Sequence, residues 1–463
     1  MLMSKHLFYL ILMLVGGILV VGTGLGQYVE DSVDVGGAWV GGMVYNSRAD
    51  VVYGNCQYTN GIFFAISCST NQVIARFNMP WPREAAYDSI DNKTYVAFQS
   101  GDEDSVLVVD GVTHSRLRAI PLDWAIYPVW DPVSNRLYVS CGENNSVGVI
   151  DCRTDSVICH IPVGAYPLKM HLNTRHHKLY VQNYDEGSVS IVDLQTNQVI
   201  RTIPLGSEPQ SGYYCEWAEK YYCGTSDRVH VVDDIADTVT TRIDLPGGSW
   251  SMSANRSQEL LFAGIEDGVS YHALYTIDTK SDSVVSVLPI RRGPQELWWS
   301  SVTDRLYCAN YDGWVTVIAG DGTHILGTMP VNSSPFVFAC SPVHQRLYVG
   351  HLNCSKVYVI RDTASAICET GPAPGHRSET LRALPNPFVR SVTIRFKNMR
   401  SGANSIGVYS AAGVLVRQLA VGTNDIAFGQ VEWNGKDENG WAVPAGTYVI
   451  VAGRQRTAVV KAK

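Results

Sequence analysis

The stretch RLYVSCGENNSVGVIDCRTDSVICHIPVG, from Arg136 to Gly164, alternates apolar and polar positions in short runs separated by GENN and RTD. Alternation at a period of two marks strands with one buried face, and the interruptions are turn chemistry. KLYVQNYDEGSVSIVDLQTNQVIRTIPLG, from Lys178 to Gly206, aligns with it without a gap. The shared pattern is Leu-Tyr-Val, a gap, Val-x-Val-x-Asp, x-x-Thr-x-x-Val, then Ile-Pro. It recurs with an aromatic anchor at Tyr53, Tyr95, Tyr138, Tyr180, Tyr222, Phe262, Tyr307 and Tyr348, spaced 40 to 45 residues apart. That period holds four short strands and their turns. A four-stranded unit has two apolar faces and hides them only by stacking on copies of itself until a ring closes. The spacing therefore predicts an all-β protein built around an eight-bladed β-propeller, with seven blades left open if an edge unit differs.

The turns follow the same logic. Asp110, Asp151, Asp193, Asp233 and Asp278 end the third strand of their units, where a short carboxylate accepts from the backbone of the next turn. Ser67, Ala319 and Arg361 replace that Asp in units one, seven and eight, whose turns must close differently. Thirteen residues before the anchor stand Pro82, Pro167, Pro209, Pro294 and Pro335. A proline suits the crossing between blades, where no ladder donor is needed.

Through RLYVS, KLYVQN and RLYVG, each followed by segments such as VIDCRT or IVDLQT, residues 28–370 resemble the YVTN-type seven- or eight-bladed propellers. The resemblance implies a fold and leaves function open, since propellers host enzymes, receptors and scaffolds alike.

After Cys368 the periodicity stops, and residues 371–384 read as a Pro- and Gly-containing linker. From 385 to 463, runs such as SVTIRF, SIGVYS and GTYVIVAG predict a β-sandwich of about seven strands. PNPF, IGVYSAAGVLVRQL and VEWNGKDENGWAVPAGTYVIV resemble the Ig-like domain of the flagellar hook-capping protein and the C-terminal sorting domains of type IX secretion. That resemblance implies a small Ig-like domain and, in the sorting case, a partner in outer-membrane secretion machinery. A plain accessory sandwich is the alternative.

Composition adds three constraints. Residues 1–26 place one Lys ahead of an apolar run from Leu7 to Val21 and then small residues, the layout of a signal peptide, with an uncleaved anchor helix as the alternative. The expected location is extracytoplasmic, secreted or at the outer cell surface of a bacterium. Eleven cysteines without a CxxC pair support disulfides or, equally, small buried thiols in strands, and argue against zinc. A net charge of −7 with no basic run lacks the footprint of a nucleic-acid binder.

No GxSxG, HExxH or phosphate-binding loop is present, so no catalytic residue, metal ligand or cofactor is assigned. His171, His176 and His177 read as a solvent-facing group at the bend after an inner strand. Fourteen residues before the anchors stand Trp39, Trp81, Trp124 and Tyr166 in units one to four, against Glu208, Gly248, Gly293 and Ser334 in units five to eight. Four aromatics at equivalent positions predict an arc on one half of the channel rim, suited to stacking sugars or clasping peptide side chains. The alternative is that they plug crevices between blades. Nearby Arg83, Glu84, Lys169, Gln210, Trp250, Gln295 and Glu296 are the candidate polar contacts of the funnel. The function expected is a non-enzymatic binding or scaffold module for a peptide, protein or glycan at the cell surface. A lyase or hydrolase with its site in the funnel is the alternative.

Overall fold

The computed structural model describes residues 27–57, 61–100, 104–332 and 334–363, the strands Leu12–Val15 and Ile18–Val21, and the segments 381–384, 388–397, 405–410, 415–420, 428–438, 440–452 and 455–462. The leader expected over 1–26 lies outside the described residues apart from those two short strands, which pair antiparallel. The contacts of the chain divide into two compact units, Met1–Cys368 and Glu369–Lys463. All regular structure among the described residues is β.

The first unit is an eight-bladed propeller: eight sheets of four antiparallel strands each. Seven are consecutive meanders, with innermost strands Val40–Asn46, Pro82–Asp88, Ala125–Asp131, Pro167–Asn173, Ser211–Cys215, Gly248–Asn255 and Pro294–Ser300. The eighth takes Pro335–Ser341, Arg346–His351 and Lys356–Asp362 from the end of the repeat array and its outer strand, Gln27–Asp34, from the beginning. The ring is thus closed by chain ends, with Glu30 of the first strand bridging Arg346 at 2.5 Å and Arg361 at 2.9 Å in the last blade.

There is no single core. Each apolar cluster of the propeller joins two neighbouring blades, as with Tyr53, Phe63 and Ala65 of blade 1 against Val96, Leu107 and Val109 of blade 2. Another joins blade 8 to blade 1 through Tyr348, Val357 and Val359 against Val52, Phe64 and Ile66. This is why the repeat exists: each blade's two apolar faces are covered by its neighbours.

The anchor tyrosines reach further than burial requires. Their hydroxyls cross to the third-to-fourth-strand turn of the next blade: Tyr53 to His114 at 2.7 Å, Tyr95 to Asp155 at 2.7 Å, Tyr138 to Asn197 at 3.3 Å, Tyr222 to Asp282 at 2.6 Å and Tyr348 to Asn71 at 2.9 Å. The receiving residues sit at positive φ, which Asn and Asp adopt most readily among residues with a side chain. Lys93 and Lys220 bond the same carboxylates as Tyr95 and Tyr222. Tyr180 and Tyr307 bond an Asp outside the positive-φ set, Asp234 at 2.8 Å and Asp362. Phe262 has no hydroxyl to give, and the turn it faces carries Gly322, whose absent Cβ would lie 2.8 Å from the Phe262 ring.

The Asp turns form as expected. Asp151 Oδ1, for example, accepts from the amides of Arg153 and Thr154, and Asp193 Oδ1 from those of Gln195 and Thr196. The ten described cysteines are all free thiols, most of them buried. Burial pushes Cys56 and Cys152 up to about 12, which makes them packing residues rather than nucleophiles.

The second unit has seven described strands in two sheets, one of Leu381–Leu384, Val392–Lys397 and Phe428–Trp433, the other of Leu415–Ala420, Ser405–Ser410, Gly446–Ala452 and Gln455–Lys461. Val392, Ile394 and Trp433 of the first pack with Ile406, Val408 and Ile450 of the second. Leu381–Leu384, at the end of the segment expected to be linker, is a paired strand; a short apolar LRAL gives little periodicity by which to see it.

Candidate functional site: the channel mouth and bore

Blade entry is where sequence and geometry depart from plain repeat. The residue fourteen before the anchor sits at positive φ in six blades: Trp39 (62°), Trp81 (36°), Trp124 (58°), Tyr166 (52°), Gly293 (65°) and Ser334 (55°). Its carbonyl accepts from the amide eighteen residues later, as from Gln99 to Trp81 at 3.1 Å and Tyr311 to Gly293 at 2.8 Å. Its own amide is held by a side chain in two blades, Asp104 for Trp124 and Asn145 for Tyr166. The left-handed turn is therefore part of the blade architecture. A bulky aromatic there costs about 1–2 kcal/mol of strain that glycine avoids. Four consecutive blades carry that strain, and three of them expose the ring: Trp39, Trp81 and Trp124 are 36%, 46% and 37% accessible. Tyr166 is less free, its ring lying over Gly142 of the preceding blade.

The opposite half of the mouth is not merely small and acidic, as the fourteenth-position comparison predicted. Trp250 and Tyr311 are exposed there too, because neighbouring positions of blades 6 and 7 supply the rings. Arg83 bonds Gln99 at 2.6 Å, Gln210 Oε1 and the Trp250 indole nitrogen flank Gly248, and Gln295 Nε2 lies by Gly293. These four belong to the mouth.

The other three charged candidates, Glu84, Lys169 and Glu296, stand three residues further along the inner strand than the rim positions Trp81, Tyr166 and Gly293. All occupy one column, eleven residues before the anchor: Gly42, Glu84, Tyr127, Lys169, Ser211, Ser251, Glu296 and Val337. A β-bulge interrupts seven of the inner strands just here. Bulges re-aim side chains and release backbone groups from the ladder. Two freed groups are met by side chains: Asn55 Nδ2 of blade 1 donates to Arg83 O at 2.5 Å, and Tyr127 N donates to Ser140 Oγ of its own blade at 3.2 Å; in the unbulged blade 5, Gln182 Nε2 donates to Ser211 O at 2.7 Å.

Glu84, Lys169 and Glu296 come from blades 2, 4 and 7, which are not neighbours, yet Lys169 feels the charge of both glutamates and Glu296 that of Glu84 and Lys169. In a ring this happens only across the axis. They line the bore, open to water along it and enclosed by protein elsewhere. Enclosure raises the carboxyl of Glu84 to about 7, with Lys169 pulling it down, and that of Glu296 to about 8, partly offset by the Phe338 amide at 2.6 Å. Lys169 is lowered by the same desolvation, with both glutamates opposing; its Nζ donates to Gln210 O at 2.9 Å. Tyr127 is raised by enclosure and then by the two carboxylates.

His171 belongs here rather than with His176 and His177. It lies within an inner strand, against Tyr221 with ring centroids 5.4 Å apart, and enclosure lowers it to about 3. His176 instead bonds Asp234 at 2.5 Å at the turn. Tyr127 was missed because only the fourteenth-position column was compared across units; His171 was named but read as solvent-facing, and Asn55 and Gln182, two residues after their anchors, were not considered. The eleventh-position column held the signal. No group of three His, Cys, Asp or Glu among the described residues has metal-binding geometry.

No protein-family model and no curated protein matches the chain. Solved structures do. The crystal structure of Sqt1 from Saccharomyces cerevisiae aligns with a TM-score of 0.60 at 12% identity, covering 72% of this chain and 99% of that one. The computationally designed Ika8 protein aligns at 0.57 and 12%, covering 71% and 98%. The dihydro-heme d1 dehydrogenase NirN aligns at 0.57 and 13%, covering 68% and 73%. At such identities the likeness is one of fold, consistent with a propeller.

Proposed function

We propose that this protein is a non-enzymatic binding module that takes a peptide or glycan at the mouth of the propeller channel. It works outside the cytoplasm, secreted or on a bacterial cell surface, with an Ig-like C-terminal unit serving export or attachment. The propeller fold suits a binding or scaffold role. The observation that carries the proposal is the set of aromatics held at left-handed backbone positions in four consecutive blades, three of them exposed tryptophans, where Gly293 and Ser334 serve the other half of the ring. Strain retained at a solvent-facing rim is what a preorganised contact surface displays.

The test is a ligand-induced thermal shift of the full chain against glycan and peptide panels, with Trp81→Gly/Trp124→Gly alongside. Stabilisation lost in the variant supports the rim as the site. Stabilisation retained there refutes it. The alternative, a lyase or hydrolase, is favoured by one observation: Glu84 and Glu296 titrate near neutrality, where a carboxyl serves as general acid. Turnover of a bound ligand that Glu296→Gln abolishes without loss of binding would establish it.

A further inference from the structure

The aromatic rim is unevenly charged. The chain reaches the mouth twice in each blade, once at the entry to the inner strand and once where the second strand turns into the third. Across blades 3 and 4 and the entry to blade 5 these segments are 121–125, 141–146, 162–167, 183–188 and 204–211, and none contains a Lys or Arg. They contain Asp123, Glu143, Asp185, Glu186 and Glu208, all exposed, and Asp104 of blade 2 stands at the edge of the same sector.

Hydrogen bonds between the loops gather these carboxylates about the rings. The Trp124 amide donates to Asp104 Oδ2 at 3.0 Å, and the Trp124 carbonyl accepts from Gly142 N at 3.1 Å, which brings Glu143 alongside. The Tyr166 carbonyl accepts from Tyr184 N at 3.0 Å, with Asp185 next in the chain, and Glu186 Oε2 accepts from Ala165 N at 3.0 Å. The sector continues into blade 5: partial enclosure raises the Tyr184 hydroxyl, and Glu208, which accepts its hydrogen bond, and Asp185 raise it further.

Elsewhere the protein neutralises its carboxylates. On the opposite face, surface glutamates meet cations: Glu216 with Arg256 at 3.4 Å, Glu219 with Arg175 at 2.8 Å, and Glu259 with Lys280. Among the described residues, the ion pairs of the mouth lie outside the sector, Arg228 with Asp227 and Asp244, and Arg291 with Asp312. Arg83, on the inner strand of blade 2, is turned to Gln99. Blade 7 shows what a ring and a carboxylate hold together at this mouth. The Arg291 guanidinium lies over the Trp314 ring, 4.6 Å from its centroid, and bonds Asp312 at 2.8 Å. Blades 3 and 4 present rings and carboxylates and supply no guanidinium of their own.

We propose that this sector of the mouth docks a basic peptide segment, whose Arg or Lys side chains lie against Trp124 and Tyr166 and pair with the carboxylates around them. The proposal rests on the reading of the rim as a binding surface and chooses between the two ligand classes that reading allows. A cation over an aromatic face with a carboxylate beside it gains from the ring quadrupole and from a charge-assisted hydrogen bond together. A neutral glycan uses the ring alone, and an acidic glycan is repelled by the carboxylates. Association is steered by the field of the sector, so it is sensitive to salt, which screens exposed charges over about 10 Å at 0.1 M.

The experiment is titration of the full chain, by calorimetry and by tryptophan fluorescence, with an arginine-rich Gly-Ser peptide, its glutamine-substituted twin, a neutral oligosaccharide and a sulfated one. The arginine peptide is expected to bind, and its twin and the sulfated sugar are not. Raising the salt from about 0.05 to about 0.3 M weakens binding on the order of tenfold. Asp123→Asn/Glu143→Gln/Asp185→Asn weakens it by about tenfold or more, while Glu216→Gln/Glu219→Gln/Glu259→Gln, which removes the same charge from the opposite face, leaves it within about twofold. The three carboxylates of the first variant are exposed and outside any ion pair, so its loss of binding is not a loss of structure, which an unchanged unfolding temperature verifies. The proposal is overturned by an arginine peptide that does not bind at millimolar concentration in low salt, by a sulfated sugar that binds as well, or by two triple variants that behave alike. A neutral sugar that binds and is lost in Trp81→Gly/Trp124→Gly, with no binding of the arginine peptide, overturns the proposal and leaves the rim reading standing. Binding of the arginine peptide that needs the sector's charge and is undiminished in Trp81→Gly/Trp124→Gly keeps the charged sector as the dock and refutes the rim reading.

Discussion

At the scale of single residues, the hydroxyl of each anchor tyrosine is worth more than its ring's similarity to Phe suggests. Tyr222→Phe leaves Asp282 with only Lys220 in a largely buried turn, and should lower stability by about 1–3 kcal/mol in urea denaturation. Phe262→Tyr should bring no gain, because the facing turn offers Gly322 in place of an acceptor. Equal effects in the two experiments would contradict the clasp. Glu296 makes a second prediction. Its carboxyl sits at about 8 in the folded protein against an ordinary value near 4.5, so the native state holds a proton that the unfolded state has lost. That contribution to stability is present at pH 4 and is lost as pH rises through 4.5 to 8. Glu296→Gln, which keeps an oxygen for the Phe338 amide, should therefore be more stable than the parent at pH 9 by a larger margin than at pH 5. A margin independent of pH would mean the carboxyl is not enclosed. The Asp turns could be read from sequence because their hydrogen bonds close within three residues. The clasps could not, since Tyr95 and Asp155 meet only after a blade has folded between them.

At the scale of elements, the four-strand unit was legible because its apolar positions repeat at a fixed offset, and the offset of Pro82, Pro167 and their equivalents located each inner strand. What the pattern could not show is the bulge, which keeps the same composition while moving Glu84 and Lys169 out of the ladder. Nor does a Trp in a repeat announce its φ. The backbone at Trp81 supplies the test of whether the ring serves a ligand or the fold. Glycine relieves the left-handed strain but loosens the unfolded chain, and the two terms nearly cancel. Trp81→Gly should thus change stability by no more than about 1 kcal/mol, where deletion of a buried packing Trp costs about 3–5 kcal/mol. A loss in the larger range, measured by denaturant midpoint, would assign the ring to plugging a crevice between blades.

At the scale of the whole molecule, eight repeats close into a ring whose last blade is completed by the first strand. The repeat count was readable from eight anchors, but the shared blade was not, because Gln27–Asp34 carries no anchor and matches no unit. Glu30 is partly buried, which raises its carboxyl, yet Arg346 and Arg361 more than offset this and hold it below the usual value. Removing residues 1–34 should cost at least about 3 kcal/mol, since it strands two guanidinium groups and uncovers a sheet edge. A truncated chain as stable as the parent would show that the ring is closed by other means. The central claim is that the mouth of this ring is a binding surface. Its most direct test is the thermal shift of the full chain with glycan and peptide panels, run on the parent and on Trp81→Gly/Trp124→Gly. The account predicts a ligand that raises the parent's unfolding temperature and leaves the variant's unchanged; a ligand that stabilises both equally would contradict it.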